Sequence, residues 1–303
     1  MSAQVEPAAA VVSADGLEVR YGRRLVLHDV SFEVGAGQVF ALLGRNGSGK
    51  TSLVRCLLGQ QKPSVGRARL FGRDAWTERP RVMERIGVLP EEPDAPPSMS
   101  ARELADFCRR LYPRWDGAAV LARLDRFGVP TQSPFSRLSR GERGAVMLSL
   151  CLGNTPELLV LDDPTLGLDV VARKALFEEL IGELADRGTT IFVASHDLAG
   201  LEGLADRVGI LHAGRLLLNE PLDGLKARFR RLRVPAGAPS EWGGFAVVST
   251  RSQPWGHEAV VSDFDENRLE ALLAGRADRS LEVVGLTLEE IFLAVCGTKG
   301  VDS

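Results

Sequence analysis

The 303-residue sequence is poor in cysteine, and no two of its four cysteines form a C-x-x-C pair. Their scattered positions argue against a zinc site or a disulfide framework and fit a reducing compartment. The four are Cys56, Cys108, Cys151 and Cys296. Long apolar runs are missing too, since none approaches the roughly 20 residues that a membrane-spanning helix needs.

The first residues lack the features of a targeting segment. Residues 1–13 contain no basic cluster ahead of an apolar run, and they include Glu6. We therefore expect neither a signal peptide nor a membrane anchor, and we interpret residues 1–13 as a disordered lead-in. Any action at a membrane is then expected from the cytoplasmic side, through another chain.

An excess of positive charge is also absent, because 37 lysines and arginines stand against 40 aspartates and glutamates, for a net charge of −3. This balance gives no reason to expect a nucleic-acid partner. Hydrophobic residues make up 45% and charged residues 25% of the chain, as in ordinary globular proteins. The length fits one large domain, or one domain with an appendage.

Strand and helix patterns alternate along most of the chain. Residues 17–43 contain short β-type runs separated by glycine turns, which predicts antiparallel strands leading into a central strand. Near-continuous apolar strands then alternate with helices, which indicates a parallel sheet covered on both faces. Four prolines between Pro90 and Pro97 interrupt this pattern. Ser100 with Glu103 forms a capping box, which predicts a helical stretch up to about residue 152.

The pattern changes after residue 222. Two β-type runs, FAVVST and HEAVVS, are predicted to pair, and two helices are predicted to follow, the second capped by Thr287 and Glu290. We therefore predict a main domain over residues 14–222 and a small α+β domain over residues 227–303. A basic run near its start could contact nucleic acid or anionic lipid, although a solvated strand or hinge face is the favoured interpretation. This run contains Lys226, Arg228, Arg230, Arg231 and Arg233.

The segment GRNGSGKT follows an apolar strand and begins a helix. Its glycines allow successive backbone N–H groups to face a phosphate, and the helix N-terminus adds positive potential. The lysine is then placed to reach the β- and γ-phosphates, and the threonine hydroxyl to bind Mg²⁺. The predicted phosphate-binding residues are Gly44, Arg45, Asn46, Gly47, Ser48, Gly49, Lys50 and Thr51.

Two consecutive aspartates follow a second apolar strand, LLVL. Asp162 comes first, at the C-terminal edge where open parallel sheets collect their ligands. A lone aspartate after a strand is usually a helix cap, but the phosphate loop elsewhere in the chain favours a role at magnesium. The sequence therefore predicts that Asp162 is a magnesium carboxylate.

Further motifs, in the right order, make the chain similar to the ATP-binding subunit of an ABC transporter over about residues 16–222. Tyr21 matches the aromatic residue that stacks on adenine. LSRGE, residues 138–142, matches the signature LSGGQ, and GLD, residues 167–169, matches the D-loop. His196 matches the switch histidine that contacts the γ-phosphate. Each motif is a modest signal by itself, and their order makes the resemblance specific.

The resemblance implies an α/β P-loop NTPase with a RecA-like parallel sheet core, an N-terminal antiparallel β-subdomain and a helical subdomain that carries the signature. It implies ATP and Mg²⁺ as ligands, with hydrolysis of ATP to ADP and phosphate. Ser139, Gly141 and Glu142 are expected to contact nucleotide held by a second ATP-binding subunit, because a helix N-terminus favours anions. A separate permease is expected to hold the pair at the inner face of the cell membrane and to convert its closure into transport, with export as the expected direction.

The chain departs from the family pattern at several positions. Glu91 stands where the family has a glutamine that contacts magnesium and the membrane subunit, so we expect Glu91 near the metal and the reacting phosphate. Arg140 and Glu142 replace the second glycine and the glutamine of the signature. Asp163 stands where the family has its catalytic glutamate and is the candidate base, and His196 is a further candidate catalytic residue. Aspartate is shorter by about 1.5 Å, and a misplacement of roughly 1 Å can slow a reaction about a hundredfold.

Two other functions compete with an active transport ATPase. ABC-type ATPases of DNA maintenance carry a long coiled coil between the phosphate loop and the signature, but the stretch between Lys50 and Leu138 is short and has no sustained heptads. The other is a regulatory subunit that binds ATP with negligible turnover and pairs with another ATPase, a function that the short Asp163 leaves open. A measured ATPase rate separates this subunit from an active enzyme.

Overall fold

The computed structural model describes residues 10–165, 168, 170–236, 242–274 and 281–297. The chain divides into two compact units, Met1–Asn219 and Glu220–Ser303. Residues 223–226, predicted to lie between the two domains, belong instead to a helix of the second unit, Leu222–Arg228. This helix begins directly after Pro221, a residue whose fixed φ suits the start of a helix.

The predicted alternation of strands and helices is confirmed. In chain order the elements are β1 (Val12–Tyr21), β2 (Arg24–Val34), β3 (Val39–Leu43), α1 (Lys50–Leu57), β4 (Val65–Leu70), β5 (Arg73–Asp74), α2 (Arg79–Met83), β6 (Ile86–Leu89), α3 (Ala101–Leu111), α4 (Gly117–Arg126), α5 (Arg140–Gly153), β7 (Leu158–Asp162), α6 (Val170–Arg187), β8 (Thr190–Ser195), β9 (Arg207–His212) and β10 (Arg215–Pro221). A short 3-10 helix, Phe135–Arg137, precedes α5.

Strands β1, β2, β4 and β5 form the predicted antiparallel sheet, in the order β2-β1-β4-β5. Val12 pairs with Val34 on one side and with Leu70 on the other, so the sheet already includes residues 12 and 13. The lead-in predicted over residues 1–13 therefore ends too late, because Val12 and Ala14 alternate into the core as strand residues do. Residues 1–9 lie outside the described part of the chain.

The second sheet has six strands in the order β10-β9-β3-β8-β7-β6, with parallel pairing from β6 across to β9. Every residue of β3, β7 and β8 is buried, which confirms the prediction of a parallel sheet covered on both faces. Phe32 of β2 stacks on Phe40 of β3 with ring centroids 5.1 Å apart, and Phe40 stacks on Phe192 of β8 at 5.5 Å. These rings join the two sheets in one apolar core.

Helices α3, α4 and α5 form a helical subdomain with an apolar core of its own, to which Leu104, Leu124 and Val146 contribute. Helix α3 begins at the predicted capping box, where the Ser100 N–H donates to the Glu103 carboxylate at 2.8 Å. No helix between α1 and α5 exceeds 11 residues, and the structure describes this whole stretch. The coiled coil of a DNA-maintenance ATPase is therefore missing from it.

The second unit contains α7 (Leu222–Arg228), β11 (Arg230–Pro235), β12 (Val247–Gln253), β13 (Gly256–Val261), α8 (Glu266–Ala274), β14 (Glu282–Gly285) and α9 (Leu288–Gly297). Its strands form one antiparallel sheet in the order β12-β13-β11-β14, which confirms the predicted strand pairing and the α+β class. On one sheet face, Leu232 and Val261 pack with Leu269 of α8. Helix α9 begins with the predicted cap, since the Thr287 N–H donates to the Glu290 carboxylate at 2.9 Å. Within the described ranges, no helix of either unit is long and apolar enough to cross a membrane.

Candidate functional site

The loop between β3 and α1 has the backbone curvature of a phosphate site. Gly47 and Gly49 adopt positive φ angles of 79° and 111°, which a residue with a Cβ rarely reaches, and α1 begins at Lys50. A Cβ at Gly49 would also lie only 2.7 Å from Leu27 Cδ2. A compact turn that contains Gly47 and Gly49 therefore leads directly into the first N–H groups of α1, as the sequence predicts.

Neighbouring backbone fixes the other half of this loop. A Cβ at Gly44 would collide with the Ser48 side chain, and the Ser48 N–H donates to the Arg45 carbonyl at 3.0 Å. The Gly214 N–H, from the turn between β9 and β10, donates to the Ser48 carbonyl at 2.9 Å. The Ser48 hydroxyl is buried without a hydrogen-bond partner among the described residues, whereas Arg45 and Asn46 are exposed.

Lys50 is a buried cation at the edge of the parallel sheet. Its side chain is 5% exposed, its Nζ donates to the Gly44 carbonyl at 2.9 Å, and it lies 3.4 Å from Asp163 Oδ2. A buried ammonium requires such partners, because an unpaired charge loses far more solvation energy than packing returns. The lysine thus spans the loop and points to the end of β7.

Asp162 is the last residue of β7 and is almost fully buried. Burial is the largest cause that raises the pKa of its carboxyl to about 6, and the charges of Asp163 and Glu91 add to it, while a Thr51 hydrogen bond and Lys50 oppose it. Its Oδ1 accepts no hydrogen bond within the described residues. A buried carboxylate with an unused oxygen and a raised pKa is short of a cation, as expected of a metal ligand.

Thr51 and Asp162 offer oxygen ligands of the hard type that Mg²⁺ prefers. Glu91 follows β6, at the neighbouring strand end, and is exposed. In the part of the chain that the structure describes, no group of three His, Cys, Asp or Glu side chains is arranged to hold a metal. A partial set of protein oxygens fits Mg²⁺, which commonly binds through one or two protein groups together with substrate phosphates and water.

Asp163 is held in place by backbone and by His196. Its φ is 44°, in the left-handed region that aspartate tolerates better than most residues, and its N–H donates to the Ala194 carbonyl at 2.7 Å. Its Oδ1 accepts from the His196 N–H at 2.9 Å and lies 2.7 Å from His196 Nδ1. The side chain therefore ties the end of β7 to the first residue after β8.

Tyr21 stands at the end of β1, next to the helix that follows the phosphate loop. Its hydroxyl donates to Gln61 Oε1 at 2.5 Å and lies 3.3 Å from Ser52 Oγ, in the first turn of α1. The residue is 46% exposed, so part of the ring remains open to a ligand. Nothing in the sequence spacing singled out Gln61, because its contact with Tyr21 is made across the fold.

The signature residues occupy the start of α5. Ser139 is its N-cap, the Ser139 N–H donates to the Glu142 carboxylate at 2.7 Å, and the Glu142 N–H donates to Ser139 Oγ at 3.3 Å. A capping box therefore starts this helix. Ser139 and Arg140 are exposed, and a Cβ at Gly141 would lie 3.8 Å from Leu168.

The structure brings together the predicted residues of the phosphate loop with Asp162, Asp163 and His196, at the C-terminal ends of β3, β7 and β8. No hydrogen bond or ion pair between described residues joins Ser139 of the signature to the phosphate loop. The D-loop motif cannot be placed, because Gly167 and Asp169 lie outside the described residues.

Comparisons with known proteins agree with this geometry. A family model described as ABC transporter matches residues 27–166. The bacitracin transport ATP-binding protein BcrA of Bacillus licheniformis is 34% identical over 226 residues, which cover 74% of each chain. Nod factor export ATP-binding protein I of Mesorhizobium japonicum is 31% identical over 310 residues, covering 97% of this chain and 89% of its own. A solved structure of the ATP-binding subunit of an ABC transporter has a TM-score of 0.65 at 27% identity, over 72% of this chain and 92% of its own.

Proposed function

Because the chain belongs to the ATP-binding subunits of ABC transporters, we propose that it pairs with a second such subunit on binding ATP and drives a separate membrane permease. Export is the proposed direction, since the relative that aligns with 97% of the chain is named for export of a Nod factor. Attachment to the permease would place the subunit on the cytoplasmic face of the membrane. The convergence of Lys50, Asp162, Asp163 and His196 beside the phosphate loop is the observation that carries the proposal.

The phosphate loop is the proposed cradle for the β- and γ-phosphates of ATP. The N–H groups around Gly47 and Gly49 and the start of α1 provide hydrogen-bond donors and positive potential. Lys50 now donates to the Gly44 carbonyl and lies near Asp163, and it exchanges part of this pairing for phosphate oxygens when ATP enters. The half-exposed ring of Tyr21, whose hydroxyl lies near Ser52 in the first turn of α1, is the proposed platform for adenine.

The Thr51 hydroxyl and the Asp162 carboxylate would hold Mg²⁺, with Glu91 as the third nearby acid. The unused, buried Oδ1 of Asp162 supports this assignment. The bound ion would neutralise phosphate charge as it develops during transfer. Asp162 must ionise to take this role, and a cation next to it favours the ionised form that burial alone opposes.

Asp163 is the proposed base that orients water for attack on the γ-phosphate. Its Oδ1 is occupied by two contacts with His196, so Oδ2, which faces Lys50, is the oxygen left to accept a proton. With its proton on Nδ1, His196 donates to Asp163 and keeps Nε2 for contact with the γ-phosphate side. A shared contact of this kind orients both side chains, but it also limits how far the short Asp163 carboxylate can reach.

Ser139, Gly141 and Glu142 are proposed to complete the ATP site of the partner subunit. Ser139 caps a 14-residue helix and is exposed, so the N-terminus of α5 is open to an anion on another chain. ATP held by one subunit then joins the two, and hydrolysis releases them. A membrane permease attached to both would convert this cycle into alternating access.

Substitution of Lys50 tests the nucleotide site. Lys50→Ala should weaken binding of ATP with Mg²⁺ by at least about 30-fold, close to 2 kcal/mol, because it removes the cation that faces the phosphates. Isothermal titration calorimetry measures the loss. Lys174→Ala is the matched control, since Lys174 is exposed on α6 and its removal should leave the affinity unchanged. Wild-type affinity in the Lys50→Ala chain would show that the loop is wrongly assigned.

A regulatory subunit with little turnover is the second candidate. It is favoured by one observation, that the short Asp163 side chain is already engaged by His196 and close to Lys50. Such a subunit would bind ATP and close on its partner, and the partner would carry out hydrolysis. The rate of phosphate release from the chain alone, and from the chain with its permease, separates the two candidates.

A further inference from the structure

A buried charge cluster fastens the helical subdomain to α6. Arg123 of α4 donates from Nε to Glu179 and from Nη2 to Glu183, which lie one turn apart on α6. The three residues are 6%, 8% and 4% exposed. Three buried charges concentrated at one helix–helix contact are unusual, because each must give up its hydration.

More exposed arginines complete the cluster. Arg126 Nη1 donates to the second oxygen of Glu179 at 2.6 Å, and Arg187 lies 3.6 Å from Glu183. Burial raises the pKa of Glu183 despite the opposing charges of Arg123 and Arg187. Apolar side chains of similar volume would usually give equal or greater stability at such a contact, so stability does not explain the charges. They do fix the relative position of two helices through directed hydrogen bonds.

The other end of α6 is tied to the loop that carries the switch histidine. Arg173, in the first turn of α6, lies 3.2 Å from Asp197 Oδ2, and Asp197 directly follows His196. The Asp197 N–H donates to Ser195 Oγ at 3.0 Å, which holds this residue against the end of β8. Helix α6 therefore has one ion pair beside the ATP-site histidine and a buried cluster about two to three turns further on.

Packing within the helical subdomain links the position of α4 to that of the signature. Leu124 of α4 packs in one apolar cluster with Val146 of α5, the helix that Ser139 begins. Close to Ser139, α5 does not pack tightly on α6, since a cavity of about 300 Å³ separates Gly141 and Ala145 from Val171 and Ala175. The charge cluster is thus a buried, directed contact between α4 and α6 that constrains where the signature helix stands relative to α6.

We propose that Arg123, with Glu179 and Glu183, is a positioning residue for the ATP reaction, and that α6 couples His196 to Ser139 through the ion pairs at its two ends. The proposal rests on the proposed function. In the proposed pair of subunits, His196 and Ser139 of one chain serve different ATP sites. The cluster then makes the response of one site depend on the state of the other, which is measured as cooperativity in ATP.

The decisive variant replaces the buried charges by apolar residues, as Arg123→Met with Glu179→Leu and Glu183→Leu, in the full chain. It should fold and keep the wild-type ATP affinity within about twofold, because Lys50 and the phosphate loop are untouched. The maximal ATPase rate should fall by about tenfold or more, since a displacement near 1 Å can cost about a hundredfold. The Hill coefficient for ATP should fall to about one. The matched control is Lys174→Met with Glu178→Leu, which removes an exposed ion pair of the same helix and should change neither quantity.

Glu183→Gln provides a second variant that keeps shape and hydrogen bonding, and Arg123→Lys tests partial rescue. Each should lie between wild type and the apolar variant in rate and in Hill coefficient. The same comparisons apply to ATP-dependent dimerisation if turnover of the wild type is too slow to follow. A folded apolar variant with wild-type rate, dimerisation and cooperativity would overturn this inference alone. A wild-type chain that binds no ATP would instead overturn the proposed function, and the inference with it.

Discussion

Three structural constraints act on Asp163. Its backbone has a positive φ, its Oδ1 is shared by two nitrogens of His196, and its Oδ2 lies 3.4 Å from Lys50 Nζ. A longer carboxylate in the same backbone conformation would have to displace the histidine or reach past it. The position of His196 therefore suits aspartate. In the proposed reaction, the water oriented by Asp163 would supply the reach that aspartate lacks.

Two substitutions of Asp163 distinguish a weak base from an adapted one. Asp163→Asn should leave ATP affinity within about threefold, because the phosphate loop remains, and it should prolong the ATP-bound pair by slowing hydrolysis about a hundredfold. Asp163→Glu should raise the ATPase rate if reach limits it. Phosphate-release assays and analytical ultracentrifugation with ATP measure both effects. If Asn abolishes activity while Glu gives no increase, the loop is adapted to aspartate; if neither alters a near-zero rate even with the permease, the chain is the regulatory subunit.

The sequence predicts the roles of some residues but not the contacts of others. The roles of Lys50 and Asp162 were predictable, because each residue stands at or just after the end of an apolar strand and within a short recognisable motif. The contact between Asp163 and His196 was not, since 33 residues separate them and their meeting depends on the pairing of β7 with β8. The contact of Arg173 with Asp197 was equally hidden, because it depends on how α6 lies beside the sheet.

At the scale of elements, the sheet of the second unit explains why arginines such as Arg231 and Arg233 are concentrated near the start of that unit. One cross-strand row reads Arg251, Glu258, Arg233 and Glu282 across β12, β13, β11 and β14, so the charges alternate in sign. Arg231, two residues from Arg233 along β11, is paired with Glu290 of α9 at 2.9 Å. Arg231 and Arg233 therefore lie on a strand, as the favoured interpretation expected, but they are half-buried and paired with acids rather than solvated. The sequence showed the run of arginines but not the acids that face them from distant strands.

The same row predicts unequal effects for two glutamates that share Arg233. Glu258 is 14% exposed and lies 3.5 Å from Arg233 and 3.9 Å from Arg231, whereas Glu282 is 63% exposed. Glu258→Gln should destabilise the sheet by about 1–3 kcal/mol, because it removes the more buried carboxylate that Arg231 and Arg233 share and leaves each half-buried arginine with one acidic partner. Glu282→Gln, the control, should change stability by less than about 0.5 kcal/mol. Hydrogen exchange of the β11 and β13 amides measures both, and equal protection in the two variants would contradict the assignment.

For the whole molecule, the fold class was predictable because near-continuous apolar strands, glycine loops and caps agree with one another along the chain. The boundary between the units was not, since α7 continues the chain through residues 223–226 without a break in composition. The proposed pairing of two subunits gives a role to Ser139, which is exposed at the start of α5 and has no hydrogen bond or ion pair with the phosphate loop among the described residues. In the proposed pair, each chain would supply the phosphate loop of one ATP site and the signature of the other.

Mixing two defective chains tests this pairing most directly. Lys50→Ala removes nucleotide binding but keeps the signature, and Ser139→Arg blocks the signature but keeps nucleotide binding. Neither chain should dimerise alone with ATP and Mg²⁺ in analytical ultracentrifugation. Their mixture should form an ATP-dependent pair, because the phosphate loop of one chain and Ser139 of the other make one complete site. Absence of the pair at every mixing ratio, with both chains folded and the wild type dimerising, would contradict a shared ATP site.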